Sequence, residues 1–290
     1  MNGIITKIQR LSLHDGPGIR SVIFMKGCNM RCKWCHNPET FHRNKEIERI
    51  ENKCIQCKAC IEVCDTNALN VNNGKVHFNV NKCNHCLKCS EECYSGAMHV
   101  VGEDMTKEKL FQTIEQDIPF FKSSNGGITF SGGEPLLQHQ FIIDAVKYLK
   151  DKGLHITIES NFSISWNIIK RIIPFVDYWM IDLKLMDEDN HRMWTSIGNK
   201  KIINNILELD KEGVSYELRT TLVPSVNDND KELSELKKFL KSLKNIKSHK
   251  LNPYHQLGEQ KYRSLGWDYP LQNINEMSQE DIEVYSKILQ

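Results

Sequence analysis

Three cysteines stand at Cys28, Cys32 and Cys35, with only Asn29–Arg31 and Lys33–Trp34 between them. Thiolates packed this closely hold metal, and three is one fewer than a four-iron cluster takes from its protein. A cubane short of one protein ligand keeps an iron open, and an open iron can bind and activate a small molecule. That open iron separates a catalytic cluster from an electron wire. The competing reading is a structural zinc site completed by His36. A ligand directly adjacent to Cys35 suits a tetrahedral site poorly.

Eight further cysteines form an internal repeat. Cys54, Cys57, Cys60 and Cys64 recur as Cys83, Cys86, Cys89 and Cys93, each shifted by 29 residues, and the flanking Lys53 and Ala68 recur as Lys82 and Ala97. The run C-x2-C-x2-C-x3-C, present twice, resembles the bacterial two-cluster ferredoxins, in which the fourth cysteine of each run ligates the other cluster. On that resemblance Cys54, Cys57 and Cys60 join Cys93 on one 4Fe-4S cluster, and Cys83, Cys86 and Cys89 join Cys64 on a second. Asp65 and Tyr94 stand where those proteins usually carry proline. Zinc is the plainer alternative, although zinc sites usually set their cysteine pairs further apart. Between the halves, Asn73-Gly74 flanked by Val71 and Val76-His77-Phe78 reads as a β-hairpin. The module is expected to occupy residues 48–103.

The bulk composition narrows the class. The 290 residues carry 38 basic and 37 acidic side chains, a formal charge of +1. No basic stripe argues for nucleic acid, and no acidic tail for a solvating segment. Apolar runs such as Ile172–Val176 fall far short of a membrane span. The first ten residues show no cationic-then-apolar signal pattern, so a cytoplasmic protein is expected. All eleven cysteines lie between Cys28 and Cys93. An odd, clustered set argues against a disulfide framework and for metal.

The elements that must position these residues follow from periodicity. Ser21–Lys26, Gly127–Phe130, His155–Glu159, Tyr178–Asp182, Ser215–Val223 and Ser248–Asn252 read as short strands. Helical patterns alternate with them at Leu137–Lys152, Trp166–Ile173, Lys200–Glu212 and Lys231–Leu243. Gly153 and Gly213 suit helix C-terminal stops. Such alternation implies a parallel sheet covered by helices, and six strands are too few for a full eight-unit barrel. The expected fold is therefore α/β: an open, partial (β/α)6 barrel made of residues 1–47 and 104–290, with the cysteine module as an inserted ferredoxin-like α+β domain. Nearly every expected strand ends in an unusual polar or glycine-rich segment: Gly27-Cys28, Ser131-Gly132-Gly133-Glu134-Pro135, Glu159-Ser160-Asn161, Asp182-Leu183-Lys184 and Pro253-Tyr254-His255. The fifth strand contains Arg219. Active sites of parallel barrels sit at the C-terminal strand ends, so these segments should converge on one rim.

Cys28-x3-Cys32-x2-Cys35, with Trp34 before the last cysteine, resembles the signature of radical S-adenosylmethionine enzymes. Asp15-Gly16-Pro17-Gly18-Ile19-Arg20 precedes it, and Trp34-Cys35-His36-Asn37-Pro38-Glu39 closes it. With Ser131–Pro135, Asp182–Lys184, Pro253-Tyr254-His255-x2-Gly258 and Lys261-Tyr262, nearly the whole chain is similar to the glycyl-radical-enzyme activating enzymes. The core resembles the pyruvate formate-lyase activators, and the inserted module resembles the longer members. The resemblance implies three 4Fe-4S clusters and S-adenosylmethionine chelated to the open iron at Cys28, Cys32 and Cys35. It implies reductive cleavage to a 5′-deoxyadenosyl radical, which abstracts an α-hydrogen from one glycine of a large partner enzyme, in an anaerobic setting. The longer type points to a partner that is an eliminase or decarboxylase, such as those acting on glycerol, choline, hydroxyproline or arylacetates.

Site residues follow partly from physics. Gly132-Gly133 permits close backbone approach. Asp182 and Lys184 alternate in a strand and share a face, where a plain surface ion pair is the alternative. The resemblance adds cofactor contacts from Trp34, Cys35, His36, Gly132, Gly133, Glu134, Asp182, Leu183, Lys184 and His255. It also implies a monovalent cation at Glu159, Ser160, Met180 and Asp182. There Glu159 replaces an aspartate of the pyruvate formate-lyase activators, and Phe162 a glycine. Asp15 is expected near the partner's glycine loop, the electron donor to be of flavodoxin or ferredoxin type, and the chain to be a monomer. Two rivals stand beside this reading: another radical S-adenosylmethionine enzyme such as a sulfatase maturase, and a non-catalytic ferredoxin-like electron carrier.

Overall fold

The computed structural model describes residues 2–289. Its strands, in chain order, are β1 (Gly3–Ser12), β2 (Arg20–Met25), β3 (Glu46–Arg49), β4 (Leu69–Asn72), β5 (Lys75–Phe78), β6 (Met98–Val101), β7 (Glu103–Met105), β8 (Gly127–Gly132), β9 (His155–Ser160), β10 (Tyr178–Asp182), β11 (Tyr216–Leu222) and β12 (Ile246–Pro253). Eight of them form one sheet in the order β12-β11-β10-β9-β8-β2-β1-β7. From β2 through β12 every neighbour pair is parallel. β1 runs antiparallel to β2, and β7 antiparallel to β1. The fold is thus α/β with a mixed, mostly parallel sheet. The antiparallel pair went unread because β1 carries few apolar residues and only Gly3, Ile5 and Ser12 of it are buried. Its pairing is decided by β2, not by its own pattern.

Parallel strands need helical crossovers, and the sequence supplies them. Helices His139–Asp151, Trp166–Ile172, Lys200–Lys211 and Asp230–Ser242 connect the successive strands from β8 to β12. Asn229 caps the last of these by accepting from Glu232 N. Gly153 and Gly213 end two of them at φ +74° and +73°.

Residue alternation then divides the sheet. Ile128, Phe130, Ile156, Ile158, Trp179, Ile181 and Leu218 are fully buried, and by alternation they share the helix-covered face. The opposite, concave face is polar. It carries Thr129, Ser131, Thr157, Glu159, Asp182, Glu217 and Arg219, brought level by the registers Thr129↔Thr157, Met180↔Glu159 and Asp182↔Arg219. Arg20 is wholly buried there and donates to Thr129 Oγ1 at 2.7 Å, to Ile128 O at 2.6 Å and to Pro17 O at 2.9 Å. Thr129 Oγ1 in turn donates to Asp15 O at 2.7 Å. These bonds fold the loop before β2 across the concave face.

Between β2 and β7 the chain leaves the sheet. β3 pairs with β6, β4 with β5, and a separate apolar cluster gathers Ile47, Cys60, Ala68, Leu69, Val76, Phe78 and Met98. The hairpin turns at Asn73 and Gly74, both at positive φ (+48° and +77°), as a tight two-residue turn requires. The sequence repeat reappears as geometry. Gln56 and His85 (φ +59° and +56°), Lys58 and Leu87 (+68° and +66°), and the short helices Ala59–Glu62 and Lys88–Glu91 all obey the same shift. No helix among the described residues is long and apolar enough to cross a membrane.

One buried ion pair joins the two parts. Lys26, at the end of β2, contacts Glu46 of β3 at 2.7 Å, and its Nζ also donates to Glu39 O at 2.7 Å. Removing one partner of a buried pair strands the other charge. Lys26→Met is expected to cost about 3–5 kcal/mol, read as a lower denaturant midpoint. A loss under about 1 kcal/mol would show that Glu46 finds enough compensation in His42.

Candidate active site

The C-terminal ends of all six parallel strands surround one cavity of about 370 Å³. β2 contributes Cys28, β8 Ser131, Gly132 and Gly133, β9 Glu159 and Asn161, and β10 Asp182 and Lys184. β11 contributes Thr221, and β12 Asn252, Pro253 and His255. Cys32, Trp34, Cys35 and His36 close the wall. The expected convergence on one rim is therefore met for most of the expected residues.

The three cysteines are free thiols largely withdrawn from solvent. Burial, followed by the facing Cys32, pushes the Cys28 thiol up to about 12. Burial pushes Cys32 up to about 11 against the pull of Lys184. Cys35 is raised as well, by burial and then by Cys32 and Cys28. Three buried thiolates repel one another, so this set asks for a positive centre among them. Donors are already aimed at the sulfurs: Met30 N at Cys28 Sγ (3.4 Å) and Asn37 N at Cys35 Sγ (3.4 Å). Among the described residues no three His, Cys, Asp or Glu side chains converge on a point that would hold a single ion. His36 is also engaged elsewhere. It stacks on His255 with ring centroids 3.8 Å apart, and its Nε2 donates to His255 O at 3.0 Å. Burial and His255 lower its pKa to about 4, so it stays neutral. A zinc site completed by His36 therefore has no support in the geometry.

Gly132 and Gly133 line the cavity and also lie against the end of β2. A Cβ on Gly133 would stand 2.3 Å from Gly27 O, and one on Gly132 2.5 Å from Met25 N. The segment is pressed against the end of β2, with Gly133 N donating to Met25 O (2.9 Å) and Glu134 N to Gly27 O (2.8 Å). Glu134 lies beneath the cavity, fully buried, and is not part of its wall. Its Oε1 accepts from Leu136 N (3.0 Å) and Ser160 Oγ (2.9 Å), and its Oε2 from Asn161 N (2.8 Å). Leu183 and Met180 are likewise buried outside the wall, as is Ser160. Leu183 N donates to Arg219 O at 2.9 Å.

Charged groups line the floor. Asp182 and Lys184 pair at 3.0 Å. Burial alone would lower the Lys184 pKa, but Asp182 and then Cys32 outweigh it and hold the ammonium charged. Glu159 pairs with Arg219 at 3.0 Å and accepts from Ser131 Oγ. Arg219 and Asn161 are functional candidates that motif reading named only as strand-end features. The signal available for Asn161 was its position just past the C-terminal end of β9; for Arg219, in the middle of β11, it was a charged side chain inside a strand paired on both sides.

In the cysteine module, burial and then Cys93, Cys54 and Cys57 push Cys60 up to about 11. Burial and then Cys83, Cys60, Cys86 and Cys64 push Cys89 up to about 12. For Cys64 the rise from burial is outweighed by bonds from Thr66, Leu69, Ala68 and others. For Cys93 it is outweighed first by Met98 N–H and Ser95 Oγ. Both thiols end below the ordinary value.

A model of the radical SAM superfamily matches residues 80–240. Models of a 4Fe-4S dicluster domain and a 4Fe-4S single cluster domain match residues 53–97 and 14–70. The trans-4-hydroxy-L-proline dehydratase activating enzyme of Clostridioides difficile is 37% identical over 293 residues, covering 100% of this chain and 97% of that protein. The choline trimethylamine-lyase activating enzyme of Oleidesulfovibrio alaskensis is 34% identical over 286 residues, covering 97% and 92%. The chain belongs to the glycyl-radical-enzyme activating family of the radical SAM superfamily. The crystal structure of Streptococcus suis SuiB with its precursor peptide SuiA is similar in fold alone, with a TM-score of 0.50 at 12% identity over 84% of this chain and 40% of that one.

The cavity of this activating enzyme fits an iron–sulfur cluster with S-adenosylmethionine. Three unbridged thiols sit at one side, a carboxylate and an ammonium at the other. Trp34 Nε1 and His255 Nδ1 are buried in its wall without hydrogen-bond partners. Such groups are rare unless a ligand or water meets them.

Glu134 gives the activating enzyme a pH signature. Burial raises its pKa from 4.5 to about 7. The folded state then binds more protons than the unfolded one across that interval, so stability falls as pH rises through it and levels above about pH 7. The stability of wild type relative to Glu134→Gln should fall by up to about 3 kcal/mol between about pH 5 and pH 8. A difference independent of pH would show Glu134 ionised throughout.

Proposed function

We infer that this chain activates a large glycyl radical enzyme that is an eliminase or decarboxylase, using three 4Fe-4S clusters and S-adenosylmethionine. The observation that carries the reading is the single cavity. Six strand ends bring the Cys28, Cys32 and Cys35 thiols to the same space as the Asp182–Lys184 pair. When bound there, the cluster and the sulfonium cofactor supply one-electron cleavage of a carbon–sulfur bond and a hydrogen-atom acceptor for a glycine Cα–H.

The chain's own residues do the rest. Cys28, Cys32 and Cys35 hold the cluster and leave one iron free. Lys184 offers its ammonium to the cofactor carboxylate, and Asp182 keeps that ammonium in place. The stacked His36 and His255, with Trp34, form the flat wall suited to an adenine ring. The backbone of Gly132 and Gly133 closes the amino-acid end. The polar concave face leads from this cavity to the Asp15 loop, where exposed Leu11 and Leu13 stand at 45% and 65% exposure. That edge suits contact with the partner's glycine loop.

Residues 48–103 are read as the ferredoxin-like electron path. Cys54, Cys57, Cys60 and Cys93 hold one cluster, and Cys64, Cys83, Cys86 and Cys89 the other. The thiols that act on Cys60 are Cys93, Cys54 and Cys57 of its own set, whereas Cys89 feels Cys60 of the other set as well as Cys83, Cys86 and Cys64. A flavodoxin or ferredoxin is the proposed donor, to a cytoplasmic monomer. Two of the similar proteins are activating enzymes of a dehydratase and a lyase, which supports a partner of eliminase type.

Reduced protein, S-adenosylmethionine and candidate glycyl radical enzymes, mixed without oxygen, should give a persistent glycyl doublet in electron paramagnetic resonance with one partner. Cys32→Ala should abolish both the doublet and cofactor cleavage while the module's clusters remain visible in absorbance. Absence of the doublet with every eliminase and decarboxylase tested would sink the partner class. Cofactor cleavage by Cys32→Ala would sink the site assignment.

A further inference from the structure

The cation expected at Glu159, Ser160, Met180 and Asp182 does not fit the groups present. Both Glu159 oxygens are taken: Oε1 by Arg219 Nη1 at 3.0 Å and Oε2 by the Ser131 hydroxyl. Ser160 points to the other face of β9, where its hydroxyl donates to Glu134 Oε1 at 2.9 Å. Asp182 is paired with Lys184 at 3.0 Å. Met180 lies between two paired strands, level with Glu159 on one side and Glu217 on the other. Its thioether is a poor ligand for a hard monovalent ion.

We propose that the Arg219 guanidinium is the built-in replacement for that cation, so that S-adenosylmethionine binding by this chain needs no potassium or sodium. The inference rests on the activation reading for the identity of the cofactor, and on geometry for the rest. β9 and β11 are separated by β10, about 9.6 Å between their axes. Only two long side chains can meet across that gap. Glu at 159 reaches where an aspartate would stop short, and Arg219 reaches from the other side. The glutamate that stands where the pyruvate formate-lyase activators carry an aspartate and the arginine two strands away are therefore one device.

The guanidinium is fixed from several directions. Its Nε donates to Glu217 Oε1 at 2.6 Å, and its Nη2 to His14 O at 3.4 Å. It is 8% exposed, as a structural ion would be. Arg219 acts here as a positioning residue: it holds Glu159 at the cavity wall and supplies fixed charge.

The test compares wild-type protein with reconstituted clusters in potassium, sodium and tetramethylammonium chloride at equal ionic strength. Equilibrium dialysis reads the S-adenosylmethionine Kd, melting reads stability, and thallium-205 resonance reads occupancy by thallous ion as the potassium mimic. The expected result is a Kd constant within about twofold, an unchanged Tm and no saturable thallium site. A Kd tightened about tenfold or more by potassium, or a saturable thallium site removed by Glu159→Gln, overturns the proposal. Arg219→Ala should weaken cofactor binding about tenfold or more in tetramethylammonium, whereas Arg219→Lys should stay insensitive to potassium. Arg219→Ala that keeps its clusters and binds the cofactor as tightly as wild type also overturns it. The thallium and melting measurements need neither cofactor nor partner, so they decide the inference even if the activation reading fails.

Discussion

The backbone of Gly132–Glu134 lies directly on that of Met25–Gly27, and the rest of the site depends on that contact. Two hydrogen bonds, Gly133 N to Met25 O and Glu134 N to Gly27 O, lock the end of β8 to the end of β2. No Cβ can be tolerated there, which is why two glycines occupy the segment. The next residue after the locked strand is Cys28. Glu134 carries the constraint to the following strand by accepting from Asn161 N and Ser160 Oγ. Asn161 then faces Cys28 and Asn29. The Cys28 segment, the Gly132-Gly133 turn and the ends of three strands are thus tied together.

Around that body the protein sorts its polar groups unusually. The helix-covered face of the sheet is apolar, and the concave face is charged. Buried charges are costly unless paired, and here each of these has partners: Glu159 with Arg219 two strands away, Asp182 with Lys184 two residues on, Arg20 with backbone carbonyls. Such a face is poor core and good site. It is preorganised, because sheet register fixes the positions of the charges before any ligand enters.

The cysteine module is joined to the barrel by the same logic. Lys26 follows directly on β2 and reaches Glu46 at the module's entrance. On the other flank Lys261 reaches Glu39 at 2.7 Å and Asn37 at 2.8 Å, tying the segment after β12 to the end of the cysteine loop. The cysteine module, the cysteine loop and the cavity are therefore held to one another by buried or half-buried ion pairs.

Much was legible from local pattern. The triad at Cys28, the repeat at Cys54–Cys93, six parallel strands and four crossover helices are written in spacing and periodicity, which act over a few residues and survive without tertiary knowledge. The antiparallel β1 and β7 were not legible, because β7 is a three-residue edge strand and β1 takes its place from its pairing with β2 rather than from its own pattern. Glu134 and Leu183 read as cofactor contacts by motif, yet both side chains are buried outside the cavity wall, Glu134 held there by Leu136 N, Ser160 Oγ and Asn161 N. The sequence by itself determined which residue types carry the chemistry and roughly where each sits along its strand. Only the tertiary structure decided which of them meet. Glu159 and Arg219, 60 residues apart, become partners through strand order alone, and no local pattern encodes which strand lies beside which.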